Sequence, residues 1–234
     1  MRSLKFIIAA LLAAPPVTVA AQQEFEGVVE YDMTVGDHTV HMLYYQKGLH
    51  VRTEMNMGGQ QAAMIIDGAV GTMTTVMPAQ KMYMTMNLRE MAAGMQHQRD
   101  TVRMPKITST GRHETIAGHD CEHFLMTNEA DHGQVDVCVA RGMGFYMSGG
   151  AGGARGQRAA EDFWSVSPDD PRYAEMRRQF GTGFFPLKME SKDEHGQVQM
   201  TMVATKIDRR ALSDNLFKPP ADYKEMKMPG MPGH

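Results

Sequence analysis

The chain has 234 residues, of which 24 are methionine and only 2 are cysteine, and its formal charge is −3 at pH 7. An acidic chain does not attract nucleic acid or anionic membrane surfaces, so both classes of partner are excluded. The length is enough for one domain with a sizeable core.

The first 21 residues have the pattern of a secretory signal peptide. Arg2 and Lys5 precede an apolar run over 6–14, and small residues continue to Ala21. This run is shorter than the roughly 20 residues that a membrane-spanning helix needs. Cleavage before Gln22 leaves no cysteine at the new N-terminus for a lipid. We therefore expect a periplasmic or secreted protein without a membrane segment, with a single domain over 22–228 and a disordered tail over 229–234.

Short alternating segments separated by turn residues follow in the rest of the chain. They predict strands over 25–35, 39–46, 49–55, 63–67, 70–77, 81–86, 121–127, 135–139, 184–192 and 197–207. Because the connections between most of these strands are short, neighbours in sequence are expected to pair as an antiparallel meander.

Two segments carry helix start signals. Asn87 can cap a helix that has Glu90 at its third position, and Asp170 with Pro171 can begin a second helix that ends at Gly181. The glycine-rich stretch 142–156 predicts a mobile loop without regular structure. The predicted fold class is therefore α+β, with about ten strands and two or three short helices.

Cys121 and Cys138 are the only cysteines of a chain predicted to be exported, which predicts one disulfide. Residues 128–133 have the composition of a turn between two predicted strands. A hairpin folded about residues 129 and 130 would place the two cysteines directly opposite each other.

The familiar catalytic motifs do not occur at the required spacing. His113 and Glu114 are followed by His119, a spacing of six where a zinc protease helix needs four. His119 and His123 have spacing four, but in a strand they lie about 13 Å apart, so we expect surface histidines. The glycine-rich stretch lacks the Lys and Ser/Thr of a phosphate-binding loop. We expect no catalytic residue, no cofactor and no enzymatic activity.

Methionine falls on alternate positions in several predicted strands, which places the side chains on one face. Two interpretations remain open: a closed core that uses methionine, or an apolar groove whose flexible thioethers hold a hydrophobic guest. The candidate lining of the groove consists of Met33, Met42, Tyr44, Met55, Met73, Met82, Met84, Met86, Leu187, Met189, Met200 and Met202.

Thioethers are also ligands for Cu(I). Candidate metal ligands in the proline-rich tail are Met226, Met228, Met231 and His234. The alternative for these residues is a plain solvated terminus.

Several segments together resemble a family of exported bacterial domains of unknown function. They are FEGVVEY (25–31), KGLHVR (47–52), TGRHETIAGHDCEH (110–123), VCVA (137–140), FPLKME (185–190) and IDRRALSDNLFKPPADY (207–223). More remotely, the strand order and the closing segment are similar to the periplasmic outer-membrane lipoprotein carriers, the LolA/LolB-like half-barrel superfamily. This resemblance implies a curved antiparallel half-barrel whose helices cover the concave face. The disulfide and the glycine-rich stretch depart from the carrier pattern.

Together these observations predict a non-catalytic periplasmic binding protein for a hydrophobic ligand, either a lipid or the acyl chains of a lipoprotein. Two alternatives remain: an envelope module that binds other proteins, and a methionine-rich protein that binds Cu(I).

Overall fold

The computed structural model describes residues 25–57, 59–88, 90, 106–127, 133–147, 178–181 and 183–227. Within them, twelve strands form one open, curved sheet. The strands are β1 (Glu26–Val35), β2 (His38–Lys47), β3 (His50–Met57), β4 (Gln60–Asp67), β5 (Thr72–Met77), β6 (Met82–Asn87), β7 (Lys106–Ile116), β8 (His119–Thr127), β9 (Gln134–Ala140), β10 (Phe185–Lys192), β11 (Val198–Arg209) and β12 (Lys224–Glu225). Short 3-10 helices span Pro78–Gln80 and Asp214–Phe217.

The strand order is β12-β6-β5-β4-β3-β2-β1-β11-β10-β9-β8-β7. Two antiparallel meanders, β1 to β6 and β7 to β11, are joined where β1 pairs with β11. The predicted pairing of sequence neighbours is therefore confirmed within each meander. The pairing of β1 with β11 is the long-range contact that makes one sheet of the two halves.

The expected number of about ten strands is too low, because β7 and β12 were missed. Most residues of β7 are exposed, so this strand has no apolar alternation to detect. Only two residues form β12, and backbone bonds hold them: the N–H of Lys224 donates to Lys81 O at 2.9 Å, and the N–H of Met226 donates to Tyr83 O at 2.7 Å.

The described residues include only one end of each predicted helix. The Asn87 side-chain oxygen accepts a hydrogen bond from the Glu90 N–H at 3.3 Å, as a helix cap does. Residues 178–180 are helical, and Gly181 follows with a φ of 63°, the left-handed conformation that ends helices. The rest of each predicted segment, including the predicted start at Asp170 and Pro171, lies outside the described residues. Helical residues are few in the described part, which is mostly β.

The expectation of a mobile loop is wrong for the first part of the glycine-rich stretch. Met143, Tyr146 and Met147 are buried in the main core. The N–H of Tyr146 donates to Phe184 O, and the N–H of Phe184 donates to Gly144 O, both at 2.9 Å. Burial of large side chains and paired backbone groups therefore hold residues 142–147 against the start of β10. Residues 148–156 lie outside the described part.

Ring contacts identify the concave face of the sheet. Tyr44 on β2 and Phe185 on β10 are separated by the two strands β1 and β11, a lateral distance of about 14 Å in a flat sheet. Their ring centroids are nevertheless 5.7 Å apart. Side chains on this face converge, so it is the concave face, and the main core lies there.

Candidate functional site: the methionine face of the sheet

The strand registers place the predicted methionines on the concave face. Residues that oppose each other in a β-ladder project from the same side of a sheet. The opposed pairs are Met33 with Met202, Met202 with Met189, Met42 with Met55, Met73 with Met86, and Met77 with Met82. Tyr31, which opposes Met42, contacts the rings of Tyr44 and Tyr146 and so ties these pairs to the concave face. We call this surface the methionine face.

Like Met77, Met64 belongs to the methionine face without being among the predicted lining residues. It opposes Thr53 on one side and Thr75 on the other, and Thr75 in turn opposes Met84. The alternation in β4 is ambiguous because Ile65 and Ile66 are both apolar and both buried. The parity of this strand could therefore not be assigned from the sequence.

One half of the methionine face is sealed. The ring of Tyr146 stacks on Tyr44 with centroids 4.5 Å apart, and Phe180 packs edge-on against Phe124 at 4.9 Å. Tyr44 and Leu187, two of the predicted lining residues, are both 0% exposed beneath this layer. Met42, Met73, Met189, Met200 and Met202 are buried as well. These lining residues are part of a packed core.

The other half, over β3 to β6, is less covered. Met55, Met64, Met82, Met84 and Met86 are only half-buried, as is Met33 on β1. Met33, Met55, Met64 and Met86 pack against the edge of the main core. The predicted lining therefore divides into a buried group, Tyr44, Leu187, Met42, Met73, Met189, Met200 and Met202, and a half-buried group, Met33, Met55, Met82, Met84 and Met86.

A cavity of about 300 Å³ lies beside β2, β3 and β4. Most of the residues that line this cavity are not among the predicted lining residues of the groove. The cavity is lined by His41, Leu43, Arg52, Glu54, Met55, Asn56, Gln61, Ala62, Ala63 and Pro78. Met55 is the member of the predicted lining that contributes to it. Arg52 Nε donates to Glu54 Oε1 at 2.6 Å inside this cavity wall, so the guanidinium is already neutralised by a carboxylate.

The disulfide between Cys121 and Cys138 is present, with their Cα atoms 5.3 Å apart. The predicted register is wrong, because Cys138 opposes His123 in the ladder between β8 and β9. The bridge therefore runs diagonally across the two strands. The turn composition of residues 128–133 located the hairpin but not its centre, and residues 128–132 lie outside the described part.

The expectation of surface histidines is wrong for His123, whose side chain is 7% exposed. Its Nδ1 lies 2.5 Å from Asp136 Oδ1, and its Nε2 lies 3.1 Å from Glu114 Oε2. Lys188 donates to the same Glu114 carboxylate, and this bond, followed by the contact with His123, lowers the pKa of Glu114. Arg112 pairs with Asp136 on the outer side. The His123 ring can be buried because it is paired with charged neighbours. Apolar periodicity in the sequence does not reveal such pairing.

Glu114, His123 and Cys138 have ligand atoms within 4.8 Å of one another. Such a group could hold zinc if the sulfur were a thiolate. Here the Cys138 sulfur is bonded to Cys121, and the ammonium of Lys188 occupies the Glu114 carboxylate. The group is therefore a structural charge cluster.

Of the predicted tail ligands, Met226 is exposed, while Met228, Met231 and His234 lie outside the described residues. None of the helices in the described part is long and apolar enough to cross a membrane.

The solved structures that match the chain share little sequence with it. An uncharacterized conserved protein from Thermus thermophilus aligns with a TM-score of 0.53 and 9% identity, over 89% of this chain and 93% of that one. A Pseudomonas aeruginosa MucA/MucB complex gives a TM-score of 0.45 at 10% identity, over 89% of this chain and 60% of that one. A putative outer membrane lipoprotein-sorting protein domain from Vibrio parahaemolyticus gives 0.31 at 9% identity, over 85% of this chain and 90% of that one. The first of these likenesses shows the fold alone.

No protein of curated function matches the chain. A family model described as "Domain of unknown function (DUF4412)" matches residues 25–223, which include all twelve strands except the last. The chain therefore belongs to the DUF4412 family.

Proposed function

We propose that this protein binds a hydrophobic guest, a lipid or the acyl chains of a lipoprotein, on the methionine face, and that it does so without catalysis in the periplasm. The observation that carries the proposal is the group of half-buried methionines on β3 to β6, of which Met55, Met64 and Met86 pack against the edge of the buried core.

The chemistry of methionine suits a guest of variable shape. Its side chain is unbranched and rotates about three bonds, so a methionine surface repacks around different apolar partners more readily than a β-branched one. β-Strands ordinarily favour Val, Ile and aromatic residues. Methionine in paired positions such as Met73 with Met86 therefore departs from the usual composition of a sheet.

The gain from burying an acyl chain is large enough for useful affinity. Each buried methylene contributes roughly 0.8 kcal/mol, so about eight methylenes would contribute about 6 kcal/mol. That value corresponds to a dissociation constant of tens of micromolar, roughly 40 μM. An apolar surface of the size of a few methionines is thus sufficient to hold one chain reversibly.

Export supports the proposal because an acyl chain that crosses the aqueous periplasm needs a carrier to shield it from water. The signal-peptide pattern over residues 1–21 and the disulfide between Cys121 and Cys138 both fit an oxidising compartment outside the cytoplasm. The chain has no charge surplus that would direct it to nucleic acid.

The test is binding of a fluorescent fatty acid to the purified mature protein, together with native mass spectrometry of protein taken directly from a periplasmic extract. We expect a co-purifying lipid mass and saturable fluorescence. Protein that carries no lipid and does not bind the fatty acid would reject the proposal. A stoichiometric protein partner in place of lipid would favour the interaction-module alternative.

Met84→Gln combined with Met86→Gln keeps side-chain length but adds amide groups to the methionine face. We expect at least a tenfold weaker binding of the fatty acid. Thr85→Gln is the matched control, because Thr85 is exposed and lies between these residues on the opposite face of β6. Equal binding by the double variant and the control, with both fully folded by thermal melting, would show that the guest lies elsewhere.

A further inference from the structure

Three methionines lie side by side on three adjacent strands. Met33 on β1 opposes Met202 on β11, and Met202 opposes Met189 on β10. We call these residues the methionine row. The thioether ligands predicted from the sequence lie in the tail, whereas this row is created by the pairing of β1 with β11.

The spacing of the row allows the three sulfur atoms to meet. Opposed residues on neighbouring strands have Cβ atoms about 4.5 to 5.5 Å apart. The row projects from the concave face, where side chains converge, as the contact between Tyr44 and Phe185 shows. Three rotatable bonds in each methionine allow the outer two sulfurs to lean toward Met202.

The surroundings of the row select a soft, singly charged ion. Thioethers are ligands for Cu(I) and poor ligands for Mg²⁺, Ca²⁺ or Zn²⁺, which prefer oxygen, nitrogen or thiolate. Met189 and Met202 are 5% and 3% exposed, so an ion there would be largely desolvated, which costs less for one charge than for two. Met33 is half-buried and provides the route of entry.

No thiolate competes with the row. The two cysteines of the chain are bonded to each other, so neither offers a free sulfur anion for copper. Met200 is the next thioether along β11, two residues from Met202 and buried on the same face. It offers a further sulfur beside the centre of the row.

We propose that Met33, Met189 and Met202 form a Cu(I) site in which three thioethers from adjacent strands coordinate one ion. The proposal does not depend on the binding of a hydrophobic guest. Because a thioether carries no proton in water, the affinity of this site is independent of pH between 5 and 7.5, whereas a site that used His234 in the tail would weaken as the imidazole becomes protonated.

The test is anaerobic competition between the full mature protein, with its disulfide intact, and a colorimetric cuprous chelator. We expect the protein to withdraw one equivalent of Cu(I) equally well at pH 5 and pH 7.5. Met202→Leu removes the central sulfur with little change in volume and is expected to weaken binding at least tenfold. Failure of the wild-type protein to compete, or unchanged competition by Met202→Leu, would overturn the proposal.

Two further variants make the result specific. Met126→Leu is the matched control, because Met126 is also buried in the main core but opposes Val135 and Ile107, neither of which carries a thioether. It should bind Cu(I) as the wild type does. Met228→Leu combined with Met231→Leu should also leave binding unchanged. Loss of binding in this tail variant but not in Met202→Leu would transfer the site to the tail and reject the row.

The outcome is separable from the proposed function. Fatty-acid binding without competition for Cu(I) would reject the methionine row and leave the guest-binding proposal standing. Competition for Cu(I) without fatty-acid binding would reject the guest-binding proposal and leave the methionine row standing.

Discussion

The hydroxyl of Tyr44 meets the backbone of Met147 twice, although the two residues are far apart in sequence. The Met147 N–H donates to Tyr44 Oη at 3.0 Å, and the Tyr44 hydroxyl donates to Met147 O at 3.3 Å. This contact joins β2 to the segment that follows β9, so it fastens the layer that seals one half of the methionine face.

Tyr44→Phe is expected to destabilise the protein by about 1 to 3 kcal/mol, because the buried Met147 N–H would lose its partner. The measurement is the free energy of unfolding in urea. Tyr45→Phe is the control, since Tyr45 lies on the opposite face and its hydroxyl is 3.5 Å from Glu54 Oε2, a weak bond. Equal losses in the two variants would mean that the bond to Met147 does not stabilise the core.

Stability should fall at alkaline pH. Burial raises the pKa of Tyr31 and Tyr44 well above the ordinary value of 10.0, and it also raises the pKa of Tyr146. The unfolded chain therefore loses these protons first as the pH rises past about 10, and each group then contributes a slope of about 1.4 kcal/mol per pH unit. The stability that these three hydroxyls contribute is fully present below pH 10 and is lost as the pH rises above it.

The check is urea unfolding at pH 9, 10 and 11, with tyrosinate absorbance recorded in parallel. Tyr31→Phe should show a shallower decline between pH 10 and 11 than the wild type. A wild-type stability that is constant over this range would show that these three hydroxyls ionise as easily in the folded protein as in the unfolded chain.

The disulfide should contribute substantially to stability. It closes a loop with a sequence separation of 17, for which the loss of chain entropy in the unfolded state predicts about 3 kcal/mol. Cys121→Ala combined with Cys138→Ala should therefore unfold at a lower urea concentration. Wild-type protein reduced with a phosphine should match the double variant, and a reduced protein as stable as the oxidised one would contradict the expectation.

Lys188 is expected to control the ionisation of Glu114. Its ammonium lies 3.3 and 3.1 Å from the two carboxylate oxygens and is the main cause of the lowered pKa. Lys188→Met should return the pKa of Glu114 toward its ordinary value of 4.5, as measured by carboxyl ¹³C chemical shifts. Lys192→Met is the control, since Lys192 pairs with Glu190.

The direction of the linked stability change follows from the lowered pKa. Glu114 contributes stability above pH 4.5, and this contribution is lost as the pH falls through the folded-state pKa. Lys188→Met should therefore weaken the dependence of stability on pH in the acid range. A pKa of Glu114 that is the same in wild type and Lys188→Met would show that the contact is too exposed to matter.

Local sequence patterns predicted most strands and one face of the sheet. The alternation around Met82, Met84 and Met86 requires a period of two, and short turns require neighbours to pair. The same logic failed for β7, where both faces are polar, and for the hairpin of the disulfide, whose turn could be centred at more than one position. Local patterns predict the periodicity of a strand. The register between two strands cannot be predicted from one strand alone, because it also depends on the partner strand.

The sequence by itself determined the antiparallel character of the fold, the pairing of Cys121 with Cys138 and the caps at Asn87 and Gly181. These features depend on neighbouring residues and on side-chain chemistry. Only the tertiary structure decided that β1 pairs with β11, because that contact joins the two ends of the domain and no local pattern encodes it. This pairing brings Met33 beside Met202, and it curves the sheet so that Tyr146 can cover Tyr44.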